Sequence, residues 1–204
     1  MVLSVSNLTV SRAGIPVLSD LSFDLKAGQA LRVHGRNGVG KTTLLRCLAG
    51  LQPASTGQIE MAADSLAYAG HADGVKLQLT VLENLRFWAD IFDCSDIDCA
   101  LQGFDLGSLS HRLAGTLSAG QRRRLGLARL LLTARPLWLL DEPTVSLDEA
   151  SVTLFAAAVH DHLQAQGAVL IASHIDLGLS TVQLDLEPYR AGPTTPTPFD
   201  AAFL

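Results

Sequence analysis

The sequence predicts an α/β fold in which a parallel sheet carries a phosphate-binding loop, with a small antiparallel sheet before it and a helical segment inserted. Three observations predict it. Gly35-Arg36-Asn37-Gly38-Val39-Gly40-Lys41-Thr42 fits GxxxxGK[ST] residue for residue, between an apolar segment at 30–33 and a helical pattern at 43–49. Two apolar runs, 137–140 and 168–172, have the length of buried strands and flank a helical pattern. At 204 residues the chain suffices for one domain with an inserted lobe, and is too short for two nucleotide-binding halves.

Taken in order, Leu3 and Val5, Leu8 and Val10, then Leu21, Phe23 and Leu25 alternate around a turn at Ala13-Gly14-Ile15-Pro16, which predicts the antiparallel sheet. A second turn, 26–29, leads to a buried strand with Leu31 and Val33 and so to Gly35. The helix after the loop ends near Gly50, which fits a C-terminal cap. Residues 58–61 and 65–69 read as short strands, the second leading to Gly70-His71. Thr80 and Glu83 have capping-box spacing ahead of a core stripe of Val81, Leu85, Trp88 and Phe92. Ser95 and Asp98 repeat that spacing before a short helix. Ser118 caps a further helix through 122–132. The strand at 137–140 ends in Asp141-Glu142-Pro143, a helix spans 150–164, and the strand at 168–172 ends in Ser173-His174. A last strand covers 181–186. The expected organisation is a single domain of 1–190, with a helical subdomain at about 72–130 and a flexible tail at 191–204.

A net charge of −5 and a pI near 5.6 argue against a duplex nucleic-acid binder, so no nucleic acid is expected. Arg122-Arg123-Arg124 reads as a solvated helix face. Cys47, Cys94 and Cys99 show no CxxC spacing and suit reduced, mostly buried thiols. His160 and His162 point to different helix faces, so no zinc site is expected. The richest apolar stretch, 125–140, is broken by Arg129 and Arg135, and residues 1–7 lack the charged and apolar regions of an export signal. The expectation is a cytosolic chain with no direct membrane span.

The glycines of the loop let backbone N–H groups wrap an anion, the helix start adds a positive dipole end, and Lys41 supplies a charge for the β and γ phosphates. Thr42 is suited to ligate Mg2+ through its hydroxyl. Gly120 at a helix start behind Ser118 implies a second phosphate-facing helix end. Two adjacent acids at the end of an apolar strand are poorly explained by packing. A nucleotide with Mg2+ explains both, Asp141 holding the metal directly or through water and Glu142 polarising the attacking water. His174 ends its strand at the same sheet edge, where ligands bind in open parallel sheets.

With these motifs in this order, the chain resembles the ATP-binding subunits of ABC transporters over residues 3–186: Walker A at 35–42, the signature Leu117-Ser118-Ala119-Gly120-Gln121, Walker B at 137–142, a D-loop at 146–148 and a switch histidine at His174. The resemblance implies a P-loop NTPase core of the ABC ATPase kind, with ATP and Mg2+ as ligands. It also implies a head-to-tail homodimer in which the signature of one copy covers the nucleotide of the other, and integral membrane permease subunits as further partners. By the same resemblance Glu142 is the general base and His174 contacts the γ phosphate and the water. Thr42 and Asp141 hold the metal. Nucleotide contacts come from the Walker A residues with Thr43, and from His71, Ser118, Ala119, Gly120, Gln121 and Asp148. Three positions depart from the pattern: His71 stands where the Q-loop has glutamine, Ala119 where glycine is commoner, and no aromatic near Ser11-Arg12 is available to stack on adenine.

Within the family the details are similar to the ATP-binding subunit of the haem exporter of cytochrome c maturation. The residues that carry this are Tyr68-Ala69-Gly70-His71 with Gly74-Val75-Lys76, the run 79–87, the Leu-Ser-Ala-Gly-Gln signature and the run 136–143. The similarity implies the cytoplasmic face of the inner membrane, with hydrolysis aiding release of haem-loaded chaperone on the far side. An exporter of another substrate is the alternative. A soluble ABC protein of translation or DNA repair would need two cassettes or a coiled-coil arm, for which 56–117 has no room. A small-molecule kinase would leave 117–121 unexplained.

Overall fold

The structure, a computed structural model, describes residues 1–173 and 177–192; His174 and the residues 193–204 of the expected tail lie outside the described residues. β1 (Leu3–Arg12) and β2 (Ile15–Leu25) pair antiparallel through Ala13 and Gly14, whose φ values of 50° and 81° are what a two-residue hairpin turn requires. The turn is thus shorter than the sequence suggests, and Pro16 already pairs with Ser11. The buried set changes parity partway along β1, from Leu3 and Val5 to Leu8 and Val10. A regular strand cannot do this; the bulge at Asn7, with φ of 50°, turns both halves of the strand to the same core.

From β2 the chain runs through β3 (Ala30–His34), α1 (Lys41–Leu48), β4 (Thr56–Met61) and β5 (Leu66–Ala69), then α2 (Val81–Ile91), α3 (Asp98–Gly103) and α4 (Ala119–Ala128). It returns through β6 (Leu137–Asp141), α5 (Glu149–Gln164), β7 (Ala168–Ala172) and β8 (Thr181–Asp185). β4 joins the first sheet in the order β2-β1-β4, and the second sheet is parallel throughout in the order β5-β6-β7-β3-β8. The last strand therefore ends one residue earlier than predicted.

β6 and β7 are buried along their whole length, and the alternation of the parallel sheet divides the core. Leu137, Leu139, Leu170, Leu31 and Val33 face a cluster shared with α1 and the antiparallel sheet. Trp138, Leu140, Val169 and Ile171 face a second cluster built from the helices between β5 and β6 together with α5. Leu44, Leu45 and Leu48 seat α1 in the first cluster, each burial contributing on the order of 2 kcal/mol.

The helix ends follow their sequence signals with two exceptions. Gly50, at φ of 70°, donates to Cys47 O at 3.0 Å while Leu51 donates to Arg46 O at 2.9 Å, the Schellman pattern expected of a glycine cap. Thr80 with Glu83, and Ser118 with Gln121, both form full capping boxes. Ser95, however, does not cap α3: the helix begins later and Asp96 accepts from the Asp98 N–H at 2.8 Å. The helix expected to run to 132 tightens after Ala128 into a 3-10 turn, which buries Leu130 and Leu132 together. Of the three free cysteines only Cys47 is buried, contrary to the expectation that most would be.

Candidate active site

Three glycines at positive φ carry the chain from β3 to α1: Gly35 at 143°, Gly38 at 83° and Gly40 at 118°. Gly40 is the N-cap of α1 and makes no side-chain capping bond, so the first N–H groups of the helix face the loop's concavity. A cavity of about 620 Å3 opens there. Asn37, Gly38, Gly40, Lys41, Thr42 and Thr43 line it, and His71 and Glu142 join them from the ends of other strands. Lys41 donates from Nζ to Gly35 O at 2.8 Å and lies across the loop. The Val39 side chain is turned away from the cavity into the first core cluster, where it packs beneath Gly35. Arg36 is tied from behind: its N–H donates to Glu187 Oε1 at 2.9 Å.

Although β7 separates β3 from β6 in the sheet, α1 crosses toward β6 and brings Thr42 to Asp141. The hydroxyl donates to Asp141 Oδ1 at 3.1 Å. Asp141 is 1% exposed, a carboxylate that burial would disfavour without partners. Tyr68 Oη donates to its other oxygen at 3.4 Å, and His71 Nδ1 lies 3.6 Å from the same oxygen. Burial, and next the Asp141 charge, push the Tyr68 phenol up to about 12, so it remains a donor at neutral pH. Glu142 takes φ of 48°, with its N–H on Ala172 O at 2.8 Å. Such a conformation costs on the order of 1 kcal/mol or more in a residue with a side chain.

The signature residues lie elsewhere. Ser118 and Gln121 are occupied in their capping box, and a separate cavity of about 250 Å3 is lined by Ala119, Arg122, Val145 and Ser146 with His71 and Glu142. Those last two residues stand between the two cavities. None of residues 117–121 is among the described lining of the phosphate-loop cavity. Gly120 is packed where an added Cβ would sit 3.0 Å from Ser146 O. Asp148 caps α5, accepting from the Ser151 N–H at 2.8 Å, and hydrogen bonding with the Ser151 side chain, and next with that N–H, holds its carboxyl below the usual range. His174 falls outside the described residues.

The arginine run is not the solvated face that its composition suggests. Arg123 is 5% exposed, and Arg124 donates to Phe104 O at 2.9 Å and Asp105 O at 3.0 Å. The signal was present: Arg123 precedes Leu127 and Leu130 at four and seven residues, a core-facing stripe in which it holds the first place. Nothing in the sequence signalled Arg46 and Gln52, which with Arg12 also line the phosphate-loop cavity. No aromatic residue joins them there among the described lining, in keeping with the absence noted near Ser11-Arg12.

A phosphate loop facing a buried, hydroxyl-bonded aspartate and a neighbouring glutamate defines a nucleotide-binding ATPase on an α/β core. The family model for the ABC transporter domain matches residues 18–145. A relative from Roseobacter denitrificans named "Cytochrome c biogenesis ATP-binding export protein CcmA" is 63% identical over 195 residues, 95% of each chain. One of the same name from Ruegeria pomeroyi is 59% identical over all 204 residues, covering 100% of both chains. Among solved structures, a Pyrococcus furiosus protein described as an ABC transporter ATP-binding protein superposes with a TM-score of 0.81 at 27% identity, over 93% of this chain and 99% of that one. The chain belongs to the ABC transporter family of ATPases and, within it, to the group of cytochrome c biogenesis ATP-binding export proteins. Among the described residues no helix is long and apolar enough to cross a membrane.

Proposed function

We propose that this ATPase powers the haem exporter of cytochrome c maturation, docked on integral membrane subunits at the cytoplasmic face of the inner membrane. Identity of 59% along the whole chain to a relative named for cytochrome c biogenesis export is the observation that carries the reading. Two copies close head to tail over two ATP molecules. What supports this is the separation of Ser118 to Gln121 from the phosphate-loop cavity within one chain, so that a second copy is needed to supply them.

In the hydrolytic step the loop N–H groups and Lys41 hold the triphosphate, and Glu142 accepts a proton from water as its oxygen bonds to the γ phosphorus and the bond to the ADP oxygen breaks. The donor set near Thr42 suits Mg2+: one hydroxyl and one carboxylate oxygen are hard ligands, and phosphate oxygens complete such sites. Bound there, the ion would neutralise charge on the phosphates. His71 adjoins Asp141 where the family pattern has glutamine, and Asp148 stiffens the start of α5 beside the partner's nucleotide. His174 is assigned to the γ phosphate on the family pattern alone.

The test combines two assays on Glu142→Gln. ATP affinity should be retained while hydrolysis falls by about 100-fold or more, the usual effect of removing a general base. In cells lacking the wild-type chain, the variant should fail to restore covalent haem in c-type cytochromes. Normal maturation supported by a variant that does not hydrolyse ATP would sink the proposal, as would recovery of the chain without integral membrane partners.

A further inference from the structure

Arg123 projects from α4 into the gap between the ends of β5 and β6. Four of its five N–H groups are used: Nε donates to Pro143 O at 2.9 Å, Nη2 to Glu142 O at 3.0 Å, and Nη1 to Gly70 O at 2.8 Å and Asp73 Oδ1 at 3.0 Å. The first two acceptors are the peptide carbonyls of Glu142 and its successor, and the other two flank His71. One planar side chain thus grips both strand ends from which the two residues shared by the cavities project. The Glu142 backbone is in a left-handed conformation, which an L residue keeps only where its surroundings over-determine it. Arg123 holds its carbonyl side while Ala172 O holds its N–H. Arg129 gives the 68–73 segment a second anchor through Tyr68 O and Asp73 O.

We propose that Arg123 is a positioning residue for hydrolysis: it fixes the Glu142 peptide and couples it to α4, so that a shift of the signature helix moves the base. The inference rests on the reading of Glu142 as that base. Lysine cannot replace the fork, because one ammonium cannot span two successive carbonyls and the Gly70 carbonyl together.

The test uses the full-length chain with Arg123→Lys and Arg123→Gln. The expected result is a kcat lowered roughly tenfold or more with the KM for ATP within about threefold of wild type, the size of effect that follows from loss of charge-assisted bonds to the peptide that carries the base. In a Glu142→Gln background, adding Arg123→Lys should leave the residual rate nearly unchanged, because the two residues act as one unit. An unchanged kcat would overturn the proposal. So would loss of folding and ATP affinity in both variants, which would assign Arg123 to the fold alone. Full hydrolysis by Glu142→Gln on its own is a distinct result: it removes the base on which the coupling depends, whatever the Arg123 variants do.

Discussion

Alanine at Gly40 should be far more damaging than alanine at Gly38, although both glycines lie in the phosphate loop at positive φ. At Gly38, φ is 83° and an added Cβ meets nothing within 4 Å, so backbone strain is the main penalty. At Gly40 φ is 118°, further from the left-handed basin that alanine can reach, and the new Cβ would sit 2.8 Å from Val17 Cγ1 and 3.2 Å from Leu18 Cγ. Leu18, on β2, is fully buried in the cluster that the antiparallel sheet shares with α1 and has nowhere to retreat. Strain costs about 1–3 kcal/mol at either position. Overpacking against Leu18 adds about 1–3 kcal/mol at Gly40 only. Gly40→Ala should therefore lose roughly 2–6 kcal/mol, lowering Tm by about 5–20 °C in a chain of this size. Equilibrium urea unfolding of the two variants, followed by circular dichroism, gives the extra cost at Gly40, steric clash and any added backbone strain together, as the difference between their midpoints at constant m. Equal stabilities, within about 0.5 kcal/mol, would refute the claim that the antiparallel sheet buttresses the start of α1.

Two further outcomes are expected. Glu187→Ala removes the acceptor for the Arg36 N–H behind the phosphate loop and should raise the KM for ATP about threefold to tenfold at constant kcat, with Glu187→Gln restoring it; an unchanged KM would remove Glu187 from loop positioning. His162 stacks on Trp138 with ring centroids 3.8 Å apart, and burial holds its pKa below the ordinary value. Above about pH 6.5 the ring is neutral folded or unfolded; as pH falls below that, the unfolded chain takes up a proton that the folded ring resists, so stability drops until the folded value is passed. His162→Phe keeps the stack and removes the titration, so Tm should fall less than in wild type between about pH 7.5 and 5.5; equal slopes would show that His162 does not govern this loss.

Local chemistry was well legible. The loop glycines, the caps at Thr80 and Ser118, and the acidic end of β6 each reveal themselves within a few residues, because turns and caps are short-range events. Ser95 shows the margin of such reading: Asp96 lies one residue further on and offers an equally good acceptor, and the fold uses it. Leu3, Val5, Leu8 and Val10 read as one alternating strand, and the parity break between Val5 and Leu8 went unread because a bulge at Asn7 has no composition of its own.

What the sequence hid is non-local, and it is mostly arginine. A guanidinium can satisfy five N–H groups on carbonyls that carry no side-chain signature, so a buried arginine and a solvated one look alike in a charge count. The acceptors of Arg123 come from positions 53, 50, 20 and 19 residues away, and nothing local to 122–124 announces them. Its spacing to Leu127 and Leu130 does announce burial, however, and a buried guanidinium must find acceptors. An arginine on an apolar helical stripe is therefore better read as a cross-link with unknown ends than as part of a basic patch. In this chain those ends are the peptides around His71 and Glu142, so the least readable contact joins the signature helix to the residues proposed to turn over ATP.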